Sequence, residues 1–195
     1  MKMERIDRVR AALCAQGLTQ MIVCDPKSVW YLTGVAVEPY ERLLALYLPT
    51  DGEPVLFLNR LFNVPEPPCR TVWHTDTDKP VAQIAEVVDA GRPLGIDKEW
   101  PAKFLIPLME APPGMQVVLS SDCIDDCRAC KDAEEQALMR EASRINDAVN
   151  EAAKHYIKAG MTEREVAEFI DAQFRAHGCE GPSFTTIVSF GANAA

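Results

Sequence analysis

The sequence has 195 residues, 48% hydrophobic and 25% charged, with a formal net charge of −9 and a pI near 4.9. That suits one large domain, or one complete domain and part of a second, in a globular protein with a core. The acidic balance argues against a nucleic-acid partner, because nothing in it would neutralise a phosphate backbone.

The opening stretch MKMERIDRVRAALCAQG is charged and amphipathic, without the apolar centre of a signal peptide. No window approaches the roughly 20 uninterrupted apolar residues of a membrane span, so no membrane is expected. With no secretory context, the seven cysteines read as mostly reduced, in a cytoplasm.

Ile6, Val9 and Leu13 recur at helical spacing, and Gly17 suits the residue after the helix. Met21 to Cys24 reads as a buried strand. Asp25-Pro26 then opens a short helix, Asp as N-cap and Pro in the first turn, ending at Gly34. Leu43–Leu48 and Pro54–Leu58 flank the turn Thr50–Glu53 and predict a β-hairpin. Arg70–His74 and Pro93–Asp97 follow as short strands, with a helix over 80–88 between them. A further helix covers 101–109, broken by Pro112-Pro113-Gly114, and Val117–Leu119 is the next strand. Strands alternating with helices up to about residue 122 predict an α/β layer fold with a mixed sheet.

The composition shifts at Asp122–Lys131, which reads as a linker. Beyond it Leu138, Ala142, Ile145, Val149, Ala152 and Tyr156 form one apolar stripe on a helix predicted to run to about Ala159. Thr162-Glu-Arg-Glu165 is a capping box opening a second helix, with Val166, Ile170 and Phe174 on one face. The run Phe184–Phe190 has strand composition, opened by Gly181-Pro182. A strand needs neighbours for its backbone groups. We therefore expect this run to be the first strand of a domain whose remainder lies beyond it.

Chemistry-bearing patterns are few. Cys123-x3-Cys127-x2-Cys130 has the spacing with which radical S-adenosylmethionine enzymes hold three irons of a four-iron cluster. Ala129 stands where an aromatic residue is usual, and the intervening Asp125-Asp126 disfavours an anionic cluster, so we read three linker cysteines. His74, His155 and His177 are too scattered for a zinc site. Glu134 and Glu135 suit the first turn of a helix. Cys24 before Asp25-Pro26 could be a nucleophile at a helix start, but a buried strand cysteine is the simpler reading. The sequence carries no P-loop and no nucleophile elbow, and no complete catalytic set.

The order of motifs says more. Ser28-Val-Trp-Tyr-Leu-Thr-Gly34 resembles the "N-I-x-Y-L-T-G" segment of creatinase-type N-terminal domains, and Leu94-Gly-Ile-Asp97 their Gly-hydrophobic-Asp strand. Cys127-Arg-Ala-Cys-Lys131 with Glu134-Glu135 and Met139-Arg-Glu-Ala142 resembles their linker signature. Gly160-Met-Thr-Glu163 with Val166-Ala167, and Ser183–Val188 with Gly191–Ala195, resemble the two motifs that follow it. Cys127 stands where the linker signature usually has Leu, and Phe190 where a small residue is commoner.

Together these are similar to the Xaa-Pro peptidase branch (aminopeptidase P, prolidase, creatinase) of the pita-bread metallopeptidases. The resemblance implies a creatinase-type N-terminal domain over 1–125, its mixed sheet flanked by helices. Residues 126–195 would then be a linker and the first helices and strand of an incomplete α+β pita-bread domain.

The resemblance further implies a parent enzyme that uses two divalent metals (Mn, Co or Zn) to cleave peptide bonds before proline, with its metal ligands downstream of Asn193. This chain by itself would then be inactive. It also implies a homodimer in which an N-terminal domain overhangs the partner's active site. Trp30, Tyr31 and Tyr40 are the candidates for that overhang, and Phe184 and Asn193 for the pocket wall; core packing is the plainer reading of Trp30 and Tyr31. The alternatives are a non-enzymatic dimerisation or binding module with this fold, and a creatinase-like amidinohydrolase parent.

Overall fold

Three apolar runs become the middle of a sheet because each is buried on both faces. The computed structural model describes residues 1–110 and 115–194, so the expected break at Pro112-Pro113-Gly114 lies outside the described residues. Two units result, Met1–Cys130 and Lys131–Ala195.

In the first unit, α1 (Met3–Ala15) leads into β1 (Gln20–Val23) and α2 (Pro26–Thr33). Then come β2 (Ala45–Pro49), β3 (Val55–Asn59) and β4 (Arg70–His74). α3 (Pro80–Ala85), β5 (Leu94–Ile96), α4 (Ala102–Glu110), β6 (Val117–Leu119) and α5 (Asp122–Ala129) complete it.

The six strands lie in the order β4-β3-β2-β1-β5-β6. β2 and β3 form the expected hairpin, and β1 also runs antiparallel to β2. The pairs β3–β4, β1–β5 and β5–β6 are parallel, so the sheet is mixed.

Alternation along each central strand sends side chains to two cores. Met21, Val23, Leu46, Leu48, Leu56 and Leu58 face one core, with Ile6, Val9 and Leu13 of α1, Val29 and Leu32 of α2, and Cys123, Ile124 and Cys127 of α5. Ile22, Ala45, Tyr47, Val55 and Phe57 face the other, with Val81 and Ile84 of α3 and Leu108 of α4. The result is a helix–sheet–helix sandwich, the layering that buries both faces of a sheet.

The local signals work as physical chemistry predicts. Asp25 caps α2, its carboxylate accepting the N–H groups of Lys27 and Ser28, and Gly34 ends the helix at φ +82°. Asp122–Ala129 is a helix, not an open linker. Its Cys123 and Cys127 are four residues apart and turn one face to the core.

The second unit begins with α6 (Ala133–Tyr156) and α7 (Glu163–Ala176). Each opens on a complete capping box, Asp132 with Glu135 and Thr162 with Glu165. Ile145, Val149 and Ala153 of α6 are buried, as is Val166 of α7, and the rings of Tyr156 and Phe169 stack at 3.8 Å. α6 stops at Tyr156, before Ala159, because Ile157 turns to extended backbone at φ −63°, ψ 128°. Leu138, at the start of the stripe, is exposed.

The strand expected over Phe184–Phe190 does not form. Among the described residues no strand pairs with it, and a β-rich composition cannot supply the missing ladder. A short 3-10 turn, Gly191–Asn193, follows.

Candidate functional site

The parallel neighbours β1 and β5 end side by side, and ligands commonly bind beyond such carboxyl ends. Asp97, just past β5, accepts both the Cys24 N–H (3.1 Å) and the Asp25 N–H (2.7 Å). Burial, with Asp25 close by, pushes the Asp97 carboxyl up to about 6 against the opposing pull of those amides.

Asp25 is also partly buried. Even so the Ser28 hydroxyl, the two cap amides and Arg128 hold its carboxyl below the usual range. Arg128 of α5 donates to Asp25 at 3.1 Å and to the Ser28 hydroxyl at 3.0 Å, and Lys98 pairs with Asp125 of α5 at 2.5 Å. The cleft among Asp25, Ser28, Asp97, Lys98, Ser121 and Asp125 holds only about 10 Å³. That is room for no more than a single water. The cluster therefore ties α2, β5 and α5 together and offers no space for a substrate. Burial and the neighbouring Asp97 raise the Cys24 thiol far above its ordinary range, which removes it as a nucleophile.

A second polar group lies past the parallel strands β3 and β4. His74 is buried; its Nε2 lies 3.0 Å from the Leu43 carbonyl oxygen and its Nδ1 3.3 Å from the Asn59 amide nitrogen. Since a carbonyl only accepts, Nε2 carries the proton and Nδ1 accepts from Asn59. The other Asn59 N–H goes to Asp76 at 2.9 Å, and Arg42 grips Asp76 with two bonds of 2.9 Å. A cavity of about 300 Å³ opens over this group, lined also by Lys103, Phe104 and Asp78. Lys103 donates to the Glu41 carbonyl and sits over the Phe104 ring. Sequence reasoning counted His74 among scattered histidines. The signal available was a polar residue at the end of each of two successive strands, Asn59 and His74; their pairing in register came only with the fold.

The residues singled out in the sequence disperse. Trp30 is 53% and Tyr40 78% exposed, while Tyr31 is buried, its hydroxyl donating to the Cys127 carbonyl at 3.2 Å. The Arg5 guanidinium lies 4.5 Å over the Tyr31 ring. In the second unit Phe184, 71% exposed, lines an open groove of about 850 Å³ with Ile145, Ile170, Phe174 and Ile187. Asn193 bonds to Glu163.

Cys123 and Cys127 are buried and Cys130 is exposed; burial pushes the Cys123 thiol up to about 11, the wrong direction for a thiolate cluster. His155 lies on the surface beside Glu151, and the His177 ring bonds to the Gln173 carbonyl. Among the described residues no three His, Cys, Asp or Glu side chains are grouped to hold a metal ion.

The chain is similar to known proteins along its whole length. The family model of the creatinase/prolidase N-terminal domain matches residues 5–130, and that of metallopeptidase family M24 matches residues 137–195. An uncharacterized peptidase of Staphylococcus epidermidis is 27% identical over 99% of the chain and 56% of its own length. One of Staphylococcus aureus is 28% identical with the same coverage. The chain thus spans about half the length of the curated relatives it matches.

Among solved structures, a dipeptidase from Mycobacterium ulcerans superposes with a TM-score of 0.82 at 27% identity, over 94% of this chain and 51% of that one. A prolidase from Pyrococcus horikoshii shares the fold with a TM-score of 0.82 at 21% identity, over 98% and 54%. By these matches the chain belongs to the creatinase/prolidase N-terminal domain family and continues into metallopeptidase family M24.

Proposed function

We propose that this chain is the amino-terminal part of a dinuclear-metal Xaa-Pro peptidase, an aminopeptidase P or a prolidase, and that it is inactive by itself. The observation carrying this reading is the succession of the two family matches, 5–130 and 137–195, in one chain. Metallopeptidase chemistry uses divalent ions to generate the attacking hydroxide and to stabilise the tetrahedral oxyanion. The residues present here do not fit such a group, since the described side chains offer no cluster for a metal. No catalytic step is assigned to them.

The role we give the first unit is structural: a rigid sandwich carrying the exposed aromatics Trp30 and Tyr40 toward a partner subunit in a homodimer. A cytoplasmic location agrees with seven free cysteines and with no helix, among the described residues, long and apolar enough to cross a membrane.

The test compares the 195-residue chain with a longer product of the same reading frame. With Mn²⁺ or Co²⁺, the longer product should cleave Xaa-Pro dipeptides and the 195-residue chain should not. Metal-dependent cleavage by the short chain would overturn the reading. Creatine hydrolysis without peptide cleavage would move it to the amidinohydrolase parent.

A further inference from the structure

In the Thr162–Glu165 box, Glu165 does the capping and Glu163 is left over. The Thr162 hydroxyl accepts the Glu165 N–H, and the Glu165 carboxylate takes the Thr162 N–H. Glu163, the first residue of α7, sends its carboxylate to the other end of the unit. It accepts the Phe190 N–H at 2.7 Å and the Asn193 side-chain amide at 3.2 and 3.1 Å.

These two partners bracket one turn. Phe190 enters the 3-10 turn Gly191–Asn193, and the Asn193 N–H closes it on the Phe190 carbonyl at 3.0 Å. Gly191 takes φ +52°, a left-handed conformation that only glycine adopts at little cost, so the turn is not what an extended chain does by default. Further back, Asp171 of α7 accepts the Thr186 hydroxyl at 2.6 Å. Two carboxylates on one helix thus hold residues 186–193 where no ladder does. Bonds to a carboxylate are roughly twice as strong as neutral ones.

We propose that Glu163 is a positioning residue: its carboxylate clamps the 190–193 turn and sets the path by which the chain leaves α7 for the rest of the catalytic domain. This rests on the reading of residues 137–195 as the opening of an M24 peptidase domain.

Hydrogen exchange and amide NMR on the 195-residue chain test the clamp without any activity. Glu163→Ala should speed exchange at the Phe190 N–H by about tenfold or more and shift the Asn193 side-chain amide resonances, with helix content unchanged. Glu163→Gln keeps one acceptor oxygen and should give an intermediate effect. Asn193→Asp sets a like charge against Glu163 and should release the same turn, which decides the matter if α7 frays in the alanine variant. Unchanged exchange at Phe190 in Glu163→Ala with α7 intact, or in Asn193→Asp, would overturn the clamp.

In the longer product, Glu163→Gln should lower kcat for Xaa-Pro cleavage while metal content and KM stay near wild type. An unchanged kcat in an active enzyme would overturn the positioning role. If the wild-type longer product cleaves nothing, the proposed function fails while the exchange result still decides the clamp.

Discussion

Asp97 shows how one residue carries two meanings. Its place in Leu94-Gly-Ile-Asp97 marks a family strand in the sequence; its role as acceptor for the Cys24 and Asp25 amides needs β1 beside β5. Its carboxyl is raised to about 6, above the ordinary value of 3.8, so the folded chain binds a proton there more tightly than the unfolded chain does. Stability from this group is therefore present below about pH 4 and declines as pH rises toward 6. The melting-temperature advantage of wild type over Asp97→Asn should shrink between pH 4 and pH 7, and an advantage that grows across that range would contradict the assignment.

Gly95 is a second case. A Cβ there would stand 2.5 Å from the Ser120 hydroxyl and 3.3 Å from the Gln20 carbonyl. Gly95→Ala should cost about 1–3 kcal/mol in urea unfolding, as overpacked cores do. Adding Ser120→Ala removes the closest atom and should recover part of that loss, a coupling that a double-mutant cycle measures.

Among the elements, legibility followed locality. The α2 start was readable because an N-cap and Pro act within one turn, and the Thr162–Glu165 capping box was readable for the same reason; the Asp132–Glu135 box came from the structure. Asp25→Ala should cost about 1 kcal/mol for the cap, within the usual range. The loss should be smaller in an Arg128→Ala background, because Asp25 also anchors Arg128; an unchanged loss in thermal melts would count against that anchoring.

α5 was missed because the composition shift at Asp122–Lys131 read as a linker carrying three cysteines. Their spacing is also that of a helix face, which burial of Cys123 and Cys127 bears out. Phe184–Phe190 failed as a strand for the opposite reason. Composition gives a propensity, and a ladder needs a partner; here side chains of α7 hold the segment instead.

At the scale of the molecule, both apolar cores of the sheet are made within Met1–Cys130. That stretch should fold alone: residues 1–130 should melt in one cooperative transition, and a molten 1–130 would refute it.

By itself the sequence determined the helices other than α5, the hairpin, the Asp25 and Thr162 caps and the family, because periodicity, capping and motif order are local or linear properties. The tertiary structure alone decided the strand order, the Asp97 tie, the His74–Asn59–Asp76 group and the Glu163 clamp. Each joins residues at least 15 apart in the chain, and a hydrogen bond between such residues exists only once folding has placed donor and acceptor together.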